Sequence, residues 1–401
     1  MDDSYPAIAM PVAPKTGGFA AKAAAPERAA TFLARGTIEV KSADAIKFRQ
    51  GNVEVFTDPE IGLFPTCGGT PPVGKATDVA KKLNVTALKT KRLTGLGVAI
   101  AVVDTGIDMA HLRSLGIRAR LDKSITIAPP GVPSTPGSYP VDHGTMCAYD
   151  VLIAAPRATL VDIPTLLSTT PGGSAMAGFL SDALRAFSYL LNQINSPGWK
   201  YKALVVNNSW GMFHPSWDFP PGHPGRYADN PNHPFNIITG TLAAAGADIL
   251  FAAGNCGADC PDGRCQGVVT KTITGANAHP SVLTLAGCDV NDLRVGYSSQ
   301  GPGIPGMTKQ KPDVTAYTHF LGSKAFGNTV PDSGTSAACP VAAGCVAALR
   351  TKRPMSSTTP TQIFDALRTS AKLAPAGGTV WNRDYGFGII DPVAAAVNLG
   401  L

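Results

Sequence analysis

The fold of this 401-residue chain is decided by the stretch Gly97-Val98-Ala99-Ile100-Ala101-Val102-Val103-Asp104-Thr105-Gly106-Ile107-Asp108. Its first seven residues form an almost continuous apolar run of strand length, and a run that is apolar on both faces is typical of a buried parallel strand. An acid follows the run directly. We therefore predict a central parallel strand that holds the carboxylate of Asp104 rigidly at its carboxyl end.

Similar apolar runs recur later in the chain, at residues 203–206, 247–253 and 281–286. A segment of helix length at 175–194 lies between the runs at 97–103 and 203–206. A second one, at 237–245, lies between the runs at 203–206 and 247–253. Strands that alternate with helices predict an α/β fold in which a parallel β-sheet is covered by helices on both faces. The active site of such a sheet lies at the carboxyl ends of its strands, which is where reactive side chains are sought.

The composition is that of a globular protein, with 44% hydrophobic and 15% charged residues. The length allows one large domain plus an additional segment, because single cores stop growing at roughly 250 to 300 residues. The net charge of +6 is scattered, and its densest block is Lys89-Thr90-Lys91-Arg92. We therefore expect no nucleic-acid partner. No window approaches the roughly 18 apolar residues that span a bilayer, so we expect no membrane insertion, and we expect a monomer.

The chain begins Met1-Asp2-Asp3-Ser4-Tyr5-Pro6, with two acids where a secretory signal peptide carries Lys or Arg. This start favours a cytoplasmic protein, and export by another route stays open. Reduced thiols are then the expected state of the eight cysteines. Three of them, Cys256, Cys260 and Cys265, lie close together, and their spacing leaves open a disulfide, free thiols or a zinc site. The lack of an obvious fourth ligand favours the first two.

Two segments offer an acid and a base for acyl-transfer chemistry. Asp104 could orient a histidine and stabilise its protonated form, although an acid at a strand end also binds ribose or a metal ion. The chain has seven histidines, and most of them neighbour proline in loops. His143, in Asp142-His143-Gly144-Thr145, is the one that opens a helix-like segment behind a long loop. It is therefore the best candidate for a general base.

Two further segments offer an oxyanion donor and a nucleophile. Asn255 ends the run Ala252-Ala253-Gly254 and could donate a hydrogen bond to an oxyanion, although asparagine after glycine is also common in turns. Ser336 lies in Ser333-Gly334-Thr335-Ser336, where small neighbours let a substrate backbone approach the hydroxyl. A helix follows, so its first backbone N–H groups could supply a second oxyanion donor.

The order Asp104, His143, Asn255, Ser336 with these flanking residues resembles the subtilisin-like serine peptidases, the S8 family, over about residues 76–401. The resemblance extends to four other segments: Asn208–Gly211, Tyr297–Pro302, Lys311–Val314 and Tyr385–Gly388. The chain departs from the family pattern at Met146, Cys147 and Cys339. We expect the two cysteines to pack as small buried hydrophobes near the site, where modification of a thiol could inhibit the enzyme.

The resemblance implies a serine endopeptidase in which Ser336 attacks a peptide carbonyl, His143 takes its proton, Asp104 orients the imidazole and Asn255 stabilises the oxyanion. Both His143 and Asn255 argue against the related sedolisins, which use Glu and Asp in these roles. A protein or peptide substrate would pair with Ser209, Trp210 and Gly211 as an added antiparallel strand. By resemblance these residues and Ala252, Ala253 and Gly254 wall the main pocket. Calcium is common in the family, without ligands that can be matched here, and no other cofactor is implied.

Residues 1–75 form an N-terminal extension whose first 30 or so residues suggest a mobile arm. A strand-like piece follows at 51–56, and residues 65–74 are rich in Pro and Gly. The extension could be a prodomain that fills the active-site cleft until it is cleaved near 65–75, or it could pack permanently. The Pro- and His-rich loop at 212–236 is predicted to be a rigid rim of the substrate cleft rather than a metal site.

Two other functions compete with a peptidase. A catalytically silent subtilisin-like scaffold could bind a peptide or a partner protein, but all four catalytic positions are filled. A nucleotide-binding α/β enzyme is disfavoured because no Gly-x-Gly-x-x-Gly follows the first strand and no Gly-Lys-Ser or Gly-Lys-Thr occurs.

Overall fold

The computed structural model describes residues 5–10, 31–37, 49–50, 53–63, 70–169, 177–375 and 380–401. The strands in these ranges are β1 (Ile8–Ala9), β2 (Phe32–Leu33), β3 (Arg49–Gln50), β4 (Val53–Glu54), β5 (Glu60–Leu63), β6 (Val98–Val103), β7 (Arg120–Leu121), β8 (Thr159–Ile163), β9 (Ala177–Phe179), β10 (Ala203–Asn208), β11 (Trp210–Gly211), β12 (Asp248–Ala252), β13 (Leu283–Cys288) and β14 (Val314–Tyr317). The α-helices are α1 (Ala76–Lys82), α2 (Val85–Thr90), α3 (Met109–Ser114), α4 (His143–Ala154), α5 (Leu180–Ile194), α6 (Pro234–Ala244), α7 (Thr335–Arg350), α8 (Pro360–Thr369) and α9 (Pro392–Asn398).

The main sheet has seven strands in the order β14-β13-β12-β10-β6-β8-β7, and its strand pairs are parallel. Strand β6 lies inside it, between β10 and β8. Its even-numbered residues, Val98, Ile100 and Val102, join a core cluster with α4 and α7, whereas its odd-numbered residues join the cluster that contains α5 and α6. The prediction of a parallel sheet with helices on both faces is therefore confirmed.

The helix that carries the candidate nucleophile is tied to this sheet by a buried ion pair. Arg350, at the end of α7, donates from Nε and an Nη to the two carboxylate oxygens of Asp248 in β12, at 2.6 and 2.7 Å. Both side chains are fully buried. A bidentate pair of this kind fixes orientation as well as distance, so it holds α7 in register with the strands.

Several boundaries differ from those predicted. The helix expected over 175–194 begins only at Leu180, because Ala177–Phe179 pair with β5 as strand β9. Strand β8 was missed because its apolar pattern is interrupted by Asp162. Of the strand-like piece at 51–56, the structure assigns Val53–Glu54 to a strand, and residues 51 and 52 lie outside the described ranges.

The N-terminal extension contributes the middle strand of a second sheet. In this antiparallel sheet β5 lies between β11 and β9. Within the predicted mobile arm, residues 5–10 are described, and there β1 pairs with β2 and the ring of Tyr5 is buried. Residues 1–4 and 11–30 of that arm lie outside the described residues, as do residues 65–69 of the expected cleavage zone. None of the helices described is long and apolar enough to cross a membrane.

Candidate active site

Asp104 lies at the end of β6 and has no exposed surface. Its Oδ1 accepts a hydrogen bond from the backbone N–H of Thr105 at 2.8 Å, and its two oxygens lie 2.9 and 3.0 Å from Nδ1 of His143. Since the carboxylate faces Nδ1, that nitrogen carries the proton and Nε2 is the basic atom. The sequence prediction that Asp104 orients His143 matches this geometry.

Two glycines allow the aspartate loop and the histidine helix to touch. Gly106 has φ of +94°, and a Cβ there would overlap the ring of Tyr139. A Cβ at Gly144 would overlap the backbone carbonyl of Gly106. The N–H of Gly144 also donates to the hydroxyl of Thr105 at 2.9 Å. The Asp-Thr-Gly and His-Gly-Thr motifs are thus two halves of one close backbone contact, which sets the distance between acid and base.

Ser336 is the second residue of α7 and is fully buried. Gly334, with φ of +78°, makes the turn that starts this helix. The Ser336 hydroxyl donates to the carbonyl oxygen of Ser209 at 3.2 Å, and Nε2 of His143 has no hydrogen-bond partner among the described residues. Catalytic hydrogen bonds are often loose before substrate binds, and rotation about one side-chain bond turns a serine hydroxyl to a new acceptor.

Asn255 is fixed by one face of its side-chain amide. Its Oδ1 accepts hydrogen bonds from the backbone N–H and the hydroxyl of Thr335, at 2.9 and 3.0 Å. The amide NH₂ group therefore points away from Thr335. The amide oxygen is thus held at the start of α7, where the backbone N–H groups of the first turn have no partner within the helix. Sequence analysis did not identify Thr335 as the residue that sets this orientation.

The predicted substrate strand is already paired with the chain itself. Trp210 of β11 lies opposite Leu63 of β5, and Gly211 opposite Gly62, in an antiparallel register. On its other edge β5 pairs with β9. The side chain of Ile61 has no exposed surface. The extension thus pairs with the strand that was predicted, by resemblance, to pair with an extended substrate.

The pocket residues predicted from sequence are all buried but differ in role. The ring of Trp210 packs in the core and its Nε1–H donates to the carbonyl of Val103 at 2.8 Å, so only the backbone of this residue faces β5. Ala252, Ala253 and Gly254 follow one another at the end of β12, and the N–H of Gly254 donates to the hydroxyl of Thr335. That bond joins this run to Thr335, which also bonds Asn255.

The sequence comparisons agree with this geometry. The model of the Subtilase family of S8 peptidases matches residues 95–388. The chain belongs to the subtilase family. It is 26% identical to Serine protease AprX of Bacillus subtilis (strain 168) over 316 residues, which are 69% of this chain and 61% of that protein. It is 26% identical to Subtilisin E of the same strain over 322 residues, 79% of this chain and 70% of that protein. It is 27% identical to the Calcium-dependent protease of Nostoc sp. (strain PCC 7120 / SAG 25.82 / UTEX 2576), over 75% of this chain and 46% of that protein.

The cysteines in the described part of this subtilase fall into two groups. Cys256 and Cys265 form a disulfide, and Cys260 is disulfide-bonded as well, so the expectation of reduced thiols is wrong for these three. A zinc site built on their thiolates is thereby excluded. The described free cysteines are Cys147, Cys288, Cys339 and Cys345, all buried. The prediction that Cys147 and Cys339 pack as buried side chains is confirmed.

Cys147 lies at the centre of the site. Its Sγ is 3.6 Å from Asp104 Oδ2, 3.7 Å from His143 Nδ1 and 3.6 Å from the carbonyl oxygen of Ser336. Burial, reinforced by the negative charge of Asp104, raises the pKa of the thiol well above its usual value, so the group stays protonated. Asp104, His143 and Cys147 are also the one group in the described ranges with the ligand spacing of a metal site. Because Asp104 and His143 are engaged with each other, we assign no metal there.

The loop predicted as a cleft rim packs on the extension. The carboxylate of Asp218 accepts hydrogen bonds from the backbone N–H groups of Phe219, Tyr227 and Ala228, which folds the loop around one buried charge. The same carboxylate accepts the hydroxyl of Thr57, at 2.8 Å. The loop therefore contacts the segment that leads into β5 through this hydrogen bond.

Three buried acids close to the site were missed by sequence analysis: Asp150, Asp162 and Asp332. Asp162 accepts the N–H groups of Ile107 and Gly137, which holds the loop after Asp104. Burial raises the pKa of Asp162 to about 7. A signal was available, because Asp150 and Asp162 each interrupt an otherwise apolar segment that a helix or strand buries.

Proposed function

We propose that this chain is a serine endopeptidase whose substrate cleft is filled by its own strand β5. The observation that carries the catalytic part is the hydrogen bond from Nδ1 of His143 to Asp104, next to a buried serine at the start of α7. The family and the printed names of the relatives, Serine protease AprX and Subtilisin E, support it. A silent scaffold would not need this tautomer-fixing contact.

In the proposed reaction Ser336 Oγ attacks the carbonyl carbon of the scissile peptide while its proton passes to Nε2 of His143. The negative charge that forms on the substrate oxygen is stabilised by the NH₂ group of Asn255 and the backbone N–H of Ser336. His143 then gives its proton to the departing amine, which leaves an acyl-serine. A water molecule attacks this ester by the same proton route, and Ser336 is restored.

Strand β5 is held in the cleft by polar contacts as well as by pairing. Asp58 accepts the backbone N–H and the hydroxyl of Ser181, at 2.7 and 2.6 Å, and thereby caps the start of α5. Arg35, whose side chain is 8% exposed, bridges Asp58 and Asp182. Nε2 of His233 lies 2.9 Å from the carbonyl oxygen of Thr57. These contacts support a latent enzyme in which the extension blocks substrates until it is displaced or cleaved.

The polar anchors also define the rival proposal that the extension stays in place. If it left, Asp182 and His233 would lose partners inside a buried site, which is costly. Cleavage on the carboxyl side of β5 need not release the strand, because these anchors precede it in the chain. Cleavage of the chain therefore tests self-processing. Whether the extension stays bound tests permanent packing.

Calcium is suggested by relatives that are named calcium-dependent proteases. In the described ranges, no cluster of three or more carboxylate, His or Cys ligands occurs apart from the one that contains the catalytic pair. The carboxylates described here thus do not by themselves define a calcium site, and no step of the proposed reaction passes through the ion.

The test compares purified wild type with Ser336→Ala, by intact mass and by digestion of casein, an unstructured protein. We expect wild type to digest casein once its extension is displaced or cleaved, and the variant to digest none. Loss of an N-terminal piece from wild type alone indicates self-processing, and gel filtration then shows whether the piece stays bound. If both proteins are inert, Ile61→Asp is assayed, because it drives β5 from its buried slot. If Ile61→Asp does not digest casein either, the result favours the catalytically silent scaffold.

A further inference from the structure

Asp150 lies on the helix of the catalytic base, two turns after His143. It has no exposed surface, and neither of its oxygens has a hydrogen-bond donor among the described residues. The ionised form of a buried carboxyl group without a donor is strongly destabilised, because it loses its hydration and gains no hydrogen bond in return. Asp150 therefore either carries a proton itself or accepts a hydrogen bond from a partner that is protonated.

Asp332 lies four residues before Ser336 and is 1% exposed. Its side chain accepts the backbone N–H and the hydroxyl of Ser323, each at 2.5 Å. Its backbone N–H donates to the carbonyl of Phe320, and its own carbonyl accepts the N–H groups of His319 and Phe320. These bonds fix the segment that leads into the nucleophile.

Each of the two carboxyl groups affects the pKa of the other through a side-chain hydrogen bond, which indicates that the two groups are neighbours. A Cβ at Gly322 would overlap Asp332 Oδ2 and contact the ring of Tyr149, which places the Asp332 carboxylate close to a side chain of α4, the helix that carries Asp150. Two carboxylates both accept and neither donates, so Asp150 gains a partner only if one proton lies between them. Adjacent carboxyl groups in a buried site share a proton for this reason.

The groups around the pair are few. In the described part of the chain, the titratable groups that act on it are His143, Tyr149 and Cys147, all on α4. His111 of α3 reaches it indirectly, because its Nε2 bonds the carbonyl oxygen of Ser323. None of these is a lysine or arginine that would neutralise a second negative charge.

We propose that Asp150 and Asp332 are positioning residues that share one proton, and that this bond clamps the helix of His143 to the segment of Ser336. The catalytic role of this clamp rests on the proposed peptidase function. A single negative charge on the pair is stable because Ser323 supplies two donors. Loss of the shared proton places two negative charges side by side and opens the clamp.

The direction of the pH dependence follows. Burial raises the pKa of Asp150 well above its usual value and that of Asp332 to about 6. In the unfolded chain both groups ionise near pH 4. Folding therefore takes up a proton above that pH, and the stabilisation that the clamp supplies is lost as the pH rises through the second ionisation of the pair.

The first test is the pH profile of kcat/KM on a small peptide amide for wild type, Asp150→Asn and Asp150→Leu. Asparagine donates an N–H to Asp332 at every pH, so we expect this variant to keep the neutral activity and to lack the alkaline fall of the wild type. Leucine removes the bond and should lower activity at every pH. Coinciding profiles for wild type and Asp150→Asn would overturn the proposal.

Two further variants sharpen this test. Ser323→Ala removes a donor that stabilises the charged carboxylate, so the pair should keep its proton to higher pH and the alkaline fall should shift upward. Asp365→Asn is the matched carboxylate-to-amide control, because Asp365 is 58% exposed on α8. Its profile should follow that of the wild type. A fall that moves equally in Asp365→Asn and Ser323→Ala would contradict the assignment.

The second test does not depend on activity. In the full chain with Ser336→Ala, the infrared band of a protonated carboxylic acid should lose intensity when Asp150→Asn is added, and the loss of thermal stability at alkaline pH should become smaller. An unchanged band and an unchanged pH dependence of melting would refute the shared proton. If the shared proton is found but no variant digests peptide, the peptidase proposal fails while the clamp stands.

Discussion

The proposed catalytic centre and the proposed substrate cleft are held in different ways. At the centre, Asp104, His143 and Ser336 are fixed by contacts among residues of the main sheet and its helices, such as the bond from Gly144 N–H to Thr105. In the cleft, the middle strand comes from the extension and is anchored by Arg35 and Asp58. The proposed catalytic residues are therefore fixed within the sheet and its helices, whereas the strand that fills the proposed cleft belongs to an added segment with its own attachments.

On the proposed function, this difference shows where catalysis and latency can be changed separately. Substitutions at the centre should abolish chemistry without affecting latency. Substitutions along the extension should change latency without affecting chemistry. The predictions below separate the two regions.

The largest effect is expected for Ser336→Ala. Loss of the nucleophile should lower kcat on the order of 10⁶-fold, because the rest of the triad acts only through it. Initial rates on a chromogenic peptide measure the effect, and Ser216→Ala, an exposed serine of the rim loop, serves as the control. A loss of less than about tenfold would show that another group performs the reaction.

A smaller loss is expected for Asn255→Ala. The amide would no longer meet the oxyanion, which should lower kcat by about 10²- to 10³-fold with little change in KM. Steady-state kinetics separate the two constants. An effect confined to KM would place Asn255 in substrate binding instead. Asn291→Ala, on an exposed turn, should behave as the wild type does.

Ile61→Asp should act in the opposite direction. A carboxylate in this fully buried slot is unfavourable, so β5 should leave the cleft and the rate on a small peptide should rise by about tenfold or more. The exposed Val53 of the same extension gives the matched control, Val53→Ser. If both variants keep the wild-type rate, β5 does not limit access.

The smallest effect on chemistry is expected for the double variant Cys256→Ser/Cys265→Ser. The disulfide closes a short loop directly after Asn255, and the carbonyl of that asparagine accepts the N–H of Asp262 within the loop. Its removal should reduce the free energy of unfolding by about 2 to 3 kcal/mol. Thermal unfolding measures this, and the variant should keep most of its kcat. A loss of activity like that of Asn255→Ala would mean that the disulfide positions the oxyanion donor.

The sequence was most informative where local pattern and chemistry coincide. The apolar run at 97–103 predicted the strand that carries Asp104, and the small residues around His143 and Ser336 predicted helix starts. These features depend on neighbours in the chain. Asp104 could be placed at the active-site edge because parallel strands end there, and the family resemblance implied His143 as its partner.

Pairings between distant segments could not be predicted in the same way. Nothing in Glu60–Leu63 marks it as the partner of Trp210 and Gly211, because an edge strand accepts many sequences through its backbone alone. The proposed Asp150–Asp332 contact joins residues on two separate elements, so the apolar segment around Asp150 marks it as a buried acid but does not indicate its partner. The ring of Trp210 turned into the core for a tertiary reason, since Val103 offers its indole an acceptor.

The central claim is that Ser336 is an activated nucleophile in a cleft that β5 closes. It is tested most directly by labelling the full chain with a fluorophosphonate and locating the adduct by mass spectrometry in wild type and in Ile61→Asp. The account predicts one adduct, on Ser336, that forms at least about tenfold faster in Ile61→Asp. An adduct on another residue, or equal labelling rates in the two proteins, would contradict it.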